Sequence, residues 1–336
     1  MKLNSTLQVG WYPICNNTSE HTYAIMEEND FHPNMTVYFP CYGGCSDSSN
    51  HYPVNFWTPT FWEKDSRKLG YKLSCHSKIA RHLAMWGNGS SGDDINRTEY
   101  NRKNGGWSNL GDCSGIVYGV TGVCHQMCNT IASATNFNDT VNAGVNWPVS
   151  FNSSRFFYGN RGTGHDKEIE SYVHSLVLFY KTYYNYPSDS VADAAELSSV
   201  HKELETIHED LHTSTVLGLK KQLSGENLGD MRKKLIISIL PLESSAVPTI
   251  AETDIQIAEK KNELDNLLIR GQISNADYAN EVNDLSAKLS NFYVEVLTPS
   301  VFEKTFDVAD SNKIMTDIIN PDFMPDYSGI KEVLCL

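Results

Sequence analysis

What this 336-residue chain has little of narrows the possibilities first. No run of apolar residues approaches the roughly 20 that a membrane-spanning helix needs. Basic residues are scarce, with 27 Lys+Arg against 41 Asp+Glu and a net charge of −14. That balance argues against a sequence-independent nucleic-acid binder and against docking on anionic lipid. The opening residues, Met1-Lys2-Leu3-Asn4-Ser5-Thr6, lack the apolar stretch of a signal peptide. Tryptophan is missing after Trp147, and Cys335 is the one cysteine after Cys128.

These absences divide the chain. Residues 1–165 carry 12 basic and 12 acidic side chains, all six Trp and seven of the eight Cys. Residues 166–336 carry 15 basic and 29 acidic side chains, so the whole net charge sits there. A length of this order accommodates two domains of about 100–200 residues each. The expectation is a Cys- and aromatic-rich α+β catalytic domain over 1–165 and an acidic helical region over 166–336. Cys15, Cys41 and Cys45 lie in polar, loop-like sequence, which favours disulfides and a secreted or periplasmic mature chain; a cytoplasmic protein is the other reading.

The front reads as short strands and loops, with clusters such as Thr36-Val37-Tyr38-Phe39 broken by Pro, Gly and Asn. Residues 79–86 form an apolar run carrying His82 and ending at Trp86, before Gly87. The densest stretch is 105–136. A helix fits there from about Val123 to Ala134, with Thr121 or Gly122 at its start. In the acidic region, Ile169 to Tyr180 and Leu197 to Leu211 space their apolar residues three and four apart. Thr249 with Glu252 predicts a capped helix that runs to Arg270 and stops at Gly271. Ser274 with Asp277 opens a second, with Tyr278, Val282, Leu285, Leu289 and Tyr293 on one face. Together they predict a helical hairpin over 252–296.

The chemistry concentrates in Gly122-Val123-Cys124-His125-Gln126-Met127-Cys128. A thiol in the first turn of a helix faces unpaired N–H groups and the positive end of the helix dipole, which favour thiolate. Gly122 would let a substrate carbonyl approach the backbone, and Gln126 is a candidate oxyanion donor. An imidazole must serve as base and then as acid.

This stretch resembles the papain-like cysteine hydrolases, in which the nucleophile opens a helix and the His comes from a strand. Two versions compete. Asp112-Cys113-Ser114-Gly115 is similar to the Asp-Cys-Ser-Gly motif of NlpC/P60 peptidases, which implies Cys113 as nucleophile and His165 as base. The reversed order of circularly permuted NlpC/P60-like families fits His82 and Cys124. A helix opening at Cys113 would run through Gly115, Gly119 and Gly122, each costing about 1 kcal/mol relative to Ala, which favours Cys124. The resemblance implies a papain-like, NlpC/P60-like α+β front domain and a cysteine amidase, peptidase or acyl transferase; Trp86 stands with Gly122 and Gln126 as a candidate for the oxyanion or substrate side. No cofactor or resident metal is implied, and the substrate is a peptide or amide.

Other readings stand beside it. Cys113 and Cys128 could form a disulfide, and Cys113, Cys124, His125 and Cys128 could bind zinc. His125 points about 100° from Cys124 on an ideal helix and is no obvious base. An exported, disulfide-stabilised binding or toxin-like module is the leading alternative function. An NAD-type glycohydrolase or transferase using Arg161 in the Gly159–Gly164 loop is a weaker one. The acidic helices read as a solvated scaffold, or as a dock for a basic protein partner.

Overall fold

The computed structural model describes the backbone of residues 5–14, 19–27, 37–39 and 68–75. It further describes 116–126, 128–129, 154–159, 162, 213–240, 247–306, 316–321, 324, 327 and 330–336. His82, Trp86, Cys113, Arg161, His165, Cys15, Cys41, Cys45 and the apolar stripes at 169–180 and 197–211 lie outside these residues.

Four strands, β1 (Ser5–Ile14), β2 (Ser19–Glu27), β3 (Val37–Phe39) and β4 (Lys68–Cys75), pair antiparallel in the order β3-β2-β1-β4. β1 is central yet contains Pro13, which cannot donate to a ladder. The register explains this: β4 reaches only as far as Trp11, so Pro13 has a partner on the β2 side alone. The β1–β4 register shifts between Val9 and Gly10, a bulge at a glycine.

The helical elements are α1 (Ser154–Tyr158), α2 (213–223), α3 (Leu228–Ile239), α4 (Val247–Ile269), α5 (Asn275–Val296), α6 (Pro299–Phe306) and α7 (Ile330–Leu334). A further helical turn opens at Cys124. The predicted hairpin is α4 and α5. α4 starts at Val247, two residues before Thr249, with Pro248 in its first turn, where a missing N–H costs nothing. It ends in a Schellman motif: the Gln272 N–H reaches the Leu267 carbonyl and the Gly271 N–H the Leu268 carbonyl. Gly271 takes φ +68, a left-handed conformation that favours glycine. Ser274 then caps α5, its hydroxyl accepting from the Asp277 N–H at 3.1 Å.

The predicted α5 face is the buried one: Tyr278, Val282, Leu285, Leu289 and Tyr293 are all in the core. That core also holds Val117, Tyr118, Val120 and Val123 from the loop before Cys124, and Phe156, Phe157 and Tyr158 from α1. The papain-like α+β expectation is therefore corrected. Of the residues whose side chains are described, 74% are helical and 2% strand, and the core they form takes no residue from β1–β4. Here the loop leading into Cys124 buries its side chains in a core shared with α2–α7.

Candidate functional site

The loop 116–123 folds back on itself before the helix begins. The Gly119 N–H donates to the Gly122 carbonyl at 2.7 Å, and the Val120 and Thr121 N–H groups donate to the Val117 carbonyl. Thr121 Oγ1 accepts the Val117 N–H at 2.7 Å. Gly119 takes φ +78 to make the turn. These bonds use the inward amides and leave three successive carbonyls, of Tyr118, Gly119 and Val120, aimed at the helical core.

Each of the three is held by side chains distant in sequence. The Tyr327 hydroxyl donates to the Tyr118 carbonyl. The hydroxyls of Tyr158 and Tyr278 each lie 2.6 Å from the Gly119 carbonyl. Gln222 Nε2 at 2.9 Å and Lys261 Nζ at 3.0 Å donate to the Val120 carbonyl. Behind them stands Asp265, 2.7 and 2.9 Å from Lys261 Nζ and 2.5 Å from the Tyr278 hydroxyl. Tyr278 has one hydroxyl proton for both the Gly119 carbonyl and Asp265, so those two acceptors compete for it. Lys261 Nζ also sits 5.0 Å from the centroid of the Tyr158 ring, within cation–π range.

Burial sets the electrostatics of this clamp. It pushes the Lys261 ammonium down from its ordinary pKa and the Asp265 carboxyl up, in each case against the attraction of the partner. Burial likewise holds the Tyr158 and Tyr278 hydroxyls protonated, well above the ordinary phenol range. All four groups are thus driven toward their neutral forms, as expected where water is excluded.

A second buried pair holds α1. Arg232 Nε and Nη2 engage Asp254 at 2.6 and 2.9 Å, and Arg232 Nη1 donates to the Phe157 carbonyl at 3.0 Å. The Tyr293 hydroxyl donates to Asp254 at 2.9 Å, and the Tyr293 ring stacks on Phe156 at 4.5 Å. Burial alone would lower the Arg232 pKa, but the charge and hydrogen bonds of Asp254 outweigh it and the net shift is upward. α1 in turn meets the cysteine turn, since Gln126 Nε2 donates to the Gly159 carbonyl at 2.8 Å. Gly162, at φ +94, passes so close that a Cβ there would lie 2.6 Å from the Thr121 carbonyl oxygen.

Cys124 is the first helical residue after this loop and is 5% exposed. Its Sγ accepts the Thr22 N–H from β2 at 3.4 Å and lies 3.9 Å from His125 Nδ1. His125 thus approaches the sulfur, although an ideal helix would turn it away. Cys128 is fully buried and carries a free thiol, so it forms no bridge to Cys113 in this structure. Among the described residues no group of three or more His, Cys, Asp or Glu side chains is arranged to hold a metal.

Gln126 caps the helix start: its Oε1 accepts the Val123 N–H at 3.0 Å, one half of a capping box. With its amide nitrogen on Gly159, both ends of the side chain serve the fold. Gly122 makes room for that cap, because a Cβ there would meet Gln126 Cβ at 2.9 Å and Ile116 Cγ2 at 3.0 Å.

Sequence reasoning singled out Cys124, with Cys113 as the alternative, but gave the acidic half no role at it. The overlooked signal is in α4. Asp254, Lys261 and Asp265 share a three-and-four spacing with Ala251, Ala258 and Leu268, so charges occupy core positions of an amphipathic helix. Such charges need partners, and the loop carbonyls with Tyr278 and Arg232 provide them. No helix among the described residues is long and apolar enough to cross a membrane. No family model, curated protein or solved structure matches the chain.

Proposed function

We propose that the chain is a cysteine-dependent amide hydrolase or acyl transferase working through the Cys124 thiol. The observation that carries this reading is the convergence on one sulfur of a helix start, the Thr22 N–H and the His125 imidazole. The helix start and the N–H both favour negative charge on sulfur. His125, at 3.9 Å, takes the role of base that the sequence suggested for His82.

In the reaction, His125 removes the thiol proton and the thiolate attacks the amide carbonyl. The C–N bond breaks as the imidazolium returns that proton to the leaving amine, which leaves a thioester on Cys124. Water, deprotonated by the same imidazole, hydrolyses the thioester and restores the thiol. An amine in place of water makes the reaction an acyl transfer.

The test is alkylation of the native, reduced protein with iodoacetamide at neutral pH, read by peptide mapping. Cys335, which is exposed, supplies the reference rate within the same molecule. Cys124, buried but activated by the helix start and His125, is expected to label stoichiometrically while Cys128, buried without them, does not, and His125→Ala is expected to slow Cys124 labelling by about a hundredfold, on the scale of lost general-base catalysis. If Cys124 stays unlabelled, the reading fails. If His82→Ala slows labelling and His125→Ala does not, the base returns to His82.

A further inference from the structure

We infer that Tyr278, with Lys261 and Asp265 behind it, is a positioning residue for Cys124, so that the acidic helical region sets the reactivity of the thiol. The inference rests on the proposed role of Cys124 and extends it to residues more than 130 positions away in sequence.

The case is geometric. The orientation of Cys124 depends on where the loop 116–123 delivers the chain, because the helix starts immediately after it. That loop does not fix an orientation by itself, because Gly119, at φ +78, and Gly122 are conformationally permissive. What fixes it is the grip on the three carbonyls of 118–120, supplied by α1, α2, α4, α5 and the segment around Tyr327. Among these donors, Tyr278 touches both the Gly119 carbonyl and Asp265, and so joins the loop to the buried ion pair. The segment after α6 adds to the grip: Asn283 Oδ1 accepts the N–H groups of Ile318 and Ile319, both at 2.9 Å, and the Asn320 N–H reaches the Tyr118 hydroxyl at 3.1 Å. Met324 and Ile319 then pack around Gly119, their side chains 3.6 Å from where a Cβ would stand. The loop is thereby held at three successive carbonyls and at the Tyr118 hydroxyl. The thiol is kept in line with the Thr22 N–H and the His125 imidazole.

The experiment measures the pH midpoint of Cys124 alkylation in the full chain. Tyr278→Phe removes only a hydroxyl and keeps the ring, so the protein is expected to fold. Tyr293→Phe is the control: it removes a hydroxyl equally buried and hydrogen-bonded, to Asp254, with no contact to the loop carbonyls. The wild-type midpoint is expected to lie below that of an ordinary thiol, about 8.5. Tyr278→Phe is expected to raise it by half a unit or more, while Tyr293→Phe leaves it in place. Tyr158→Phe, which removes the other hydroxyl from the Gly119 carbonyl, should act in the same direction. An unchanged midpoint in Tyr278→Phe, or an equal rise in Tyr293→Phe, overturns the positioning role while leaving Cys124 as nucleophile. A wild-type midpoint at or above 8.5 instead overturns the reading of Cys124 itself.

Discussion

Asp254→Ala is expected to lower the unfolding free energy by about 3–5 kcal/mol, the usual result of leaving a buried charge without its partner. Asp254 is completely buried and Arg232 is 4% exposed, so neither can recover hydration when the other is removed. The loss extends beyond the pair. The Tyr293 hydroxyl donates to the same carboxylate, and the guanidinium that holds the Phe157 carbonyl would lose its anchor. The urea midpoint reports the change, provided the slope of the transition stays constant. Replacing both partners with apolar residues, Arg232→Met with Asp254→Leu, is expected to recover much of the loss, because no uncompensated charge remains. A single variant that costs less than about 1 kcal/mol would mean that the pair is not buried as described.

Two neighbouring lysines give the second large effect. Lys261→Met is expected to cost about 3–5 kcal/mol, whereas Lys260→Met should stay within about 0.5 kcal/mol. Both lysines form ion pairs of similar length, Lys260 with Glu263 at 3.0 Å and Lys261 with Asp265 at 2.7 Å. Distance therefore does not separate them; solvent does. Lys260 and Glu263 are 62% and 65% exposed, so water screens their attraction and replaces it when one partner is lost. Lys261 and Asp265 are 7% and 2% exposed, and the Val120 carbonyl depends on the same ammonium. Parallel urea titrations of the two variants make the comparison. Equal costs would contradict the clamp.

The contrast between these lysines also marks how far the sequence could be read. The hairpin was legible because it is written in local rules: Ser274 with Asp277 at its cap, Gly271 at its stop, and apolar residues from Tyr278 to Tyr293 at helical spacing. The start of a helix at Cys124 was legible for the same reason, from glycines before it and none soon after. The fold class was not. An apolar loop rich in glycine says nothing local about whether a sheet or helices will cover it, and Val117, Tyr118 and Val120 turned out to be covered by helices. The acidic count hid the clamp in another way. Most of those carboxylates that lie among the described residues are exposed, and a sum over 29 of them does not reveal that Asp254 and Asp265 are buried. Their positions on the inward face of α4 carried that information, visible once the stripe was followed through charged residues as well as apolar ones. The approach of His125 to Cys124 was beyond sequence reading, since it depends on the rotamers of two adjacent side chains.

The central claim is that the cysteine turn belongs to the same cooperative unit as the helical region. Native-state hydrogen exchange tests it most directly, followed at the amides of Gly119, Val120 and Thr121, whose N–H groups are bonded within the loop. If α4 and α5 hold the loop through its carbonyls, these amides exchange only through the same opening as the buried amides of α5, and Lys261→Met speeds both together. Exchange of the three loop amides through a separate, low-energy opening while α5 stays protected would contradict the account.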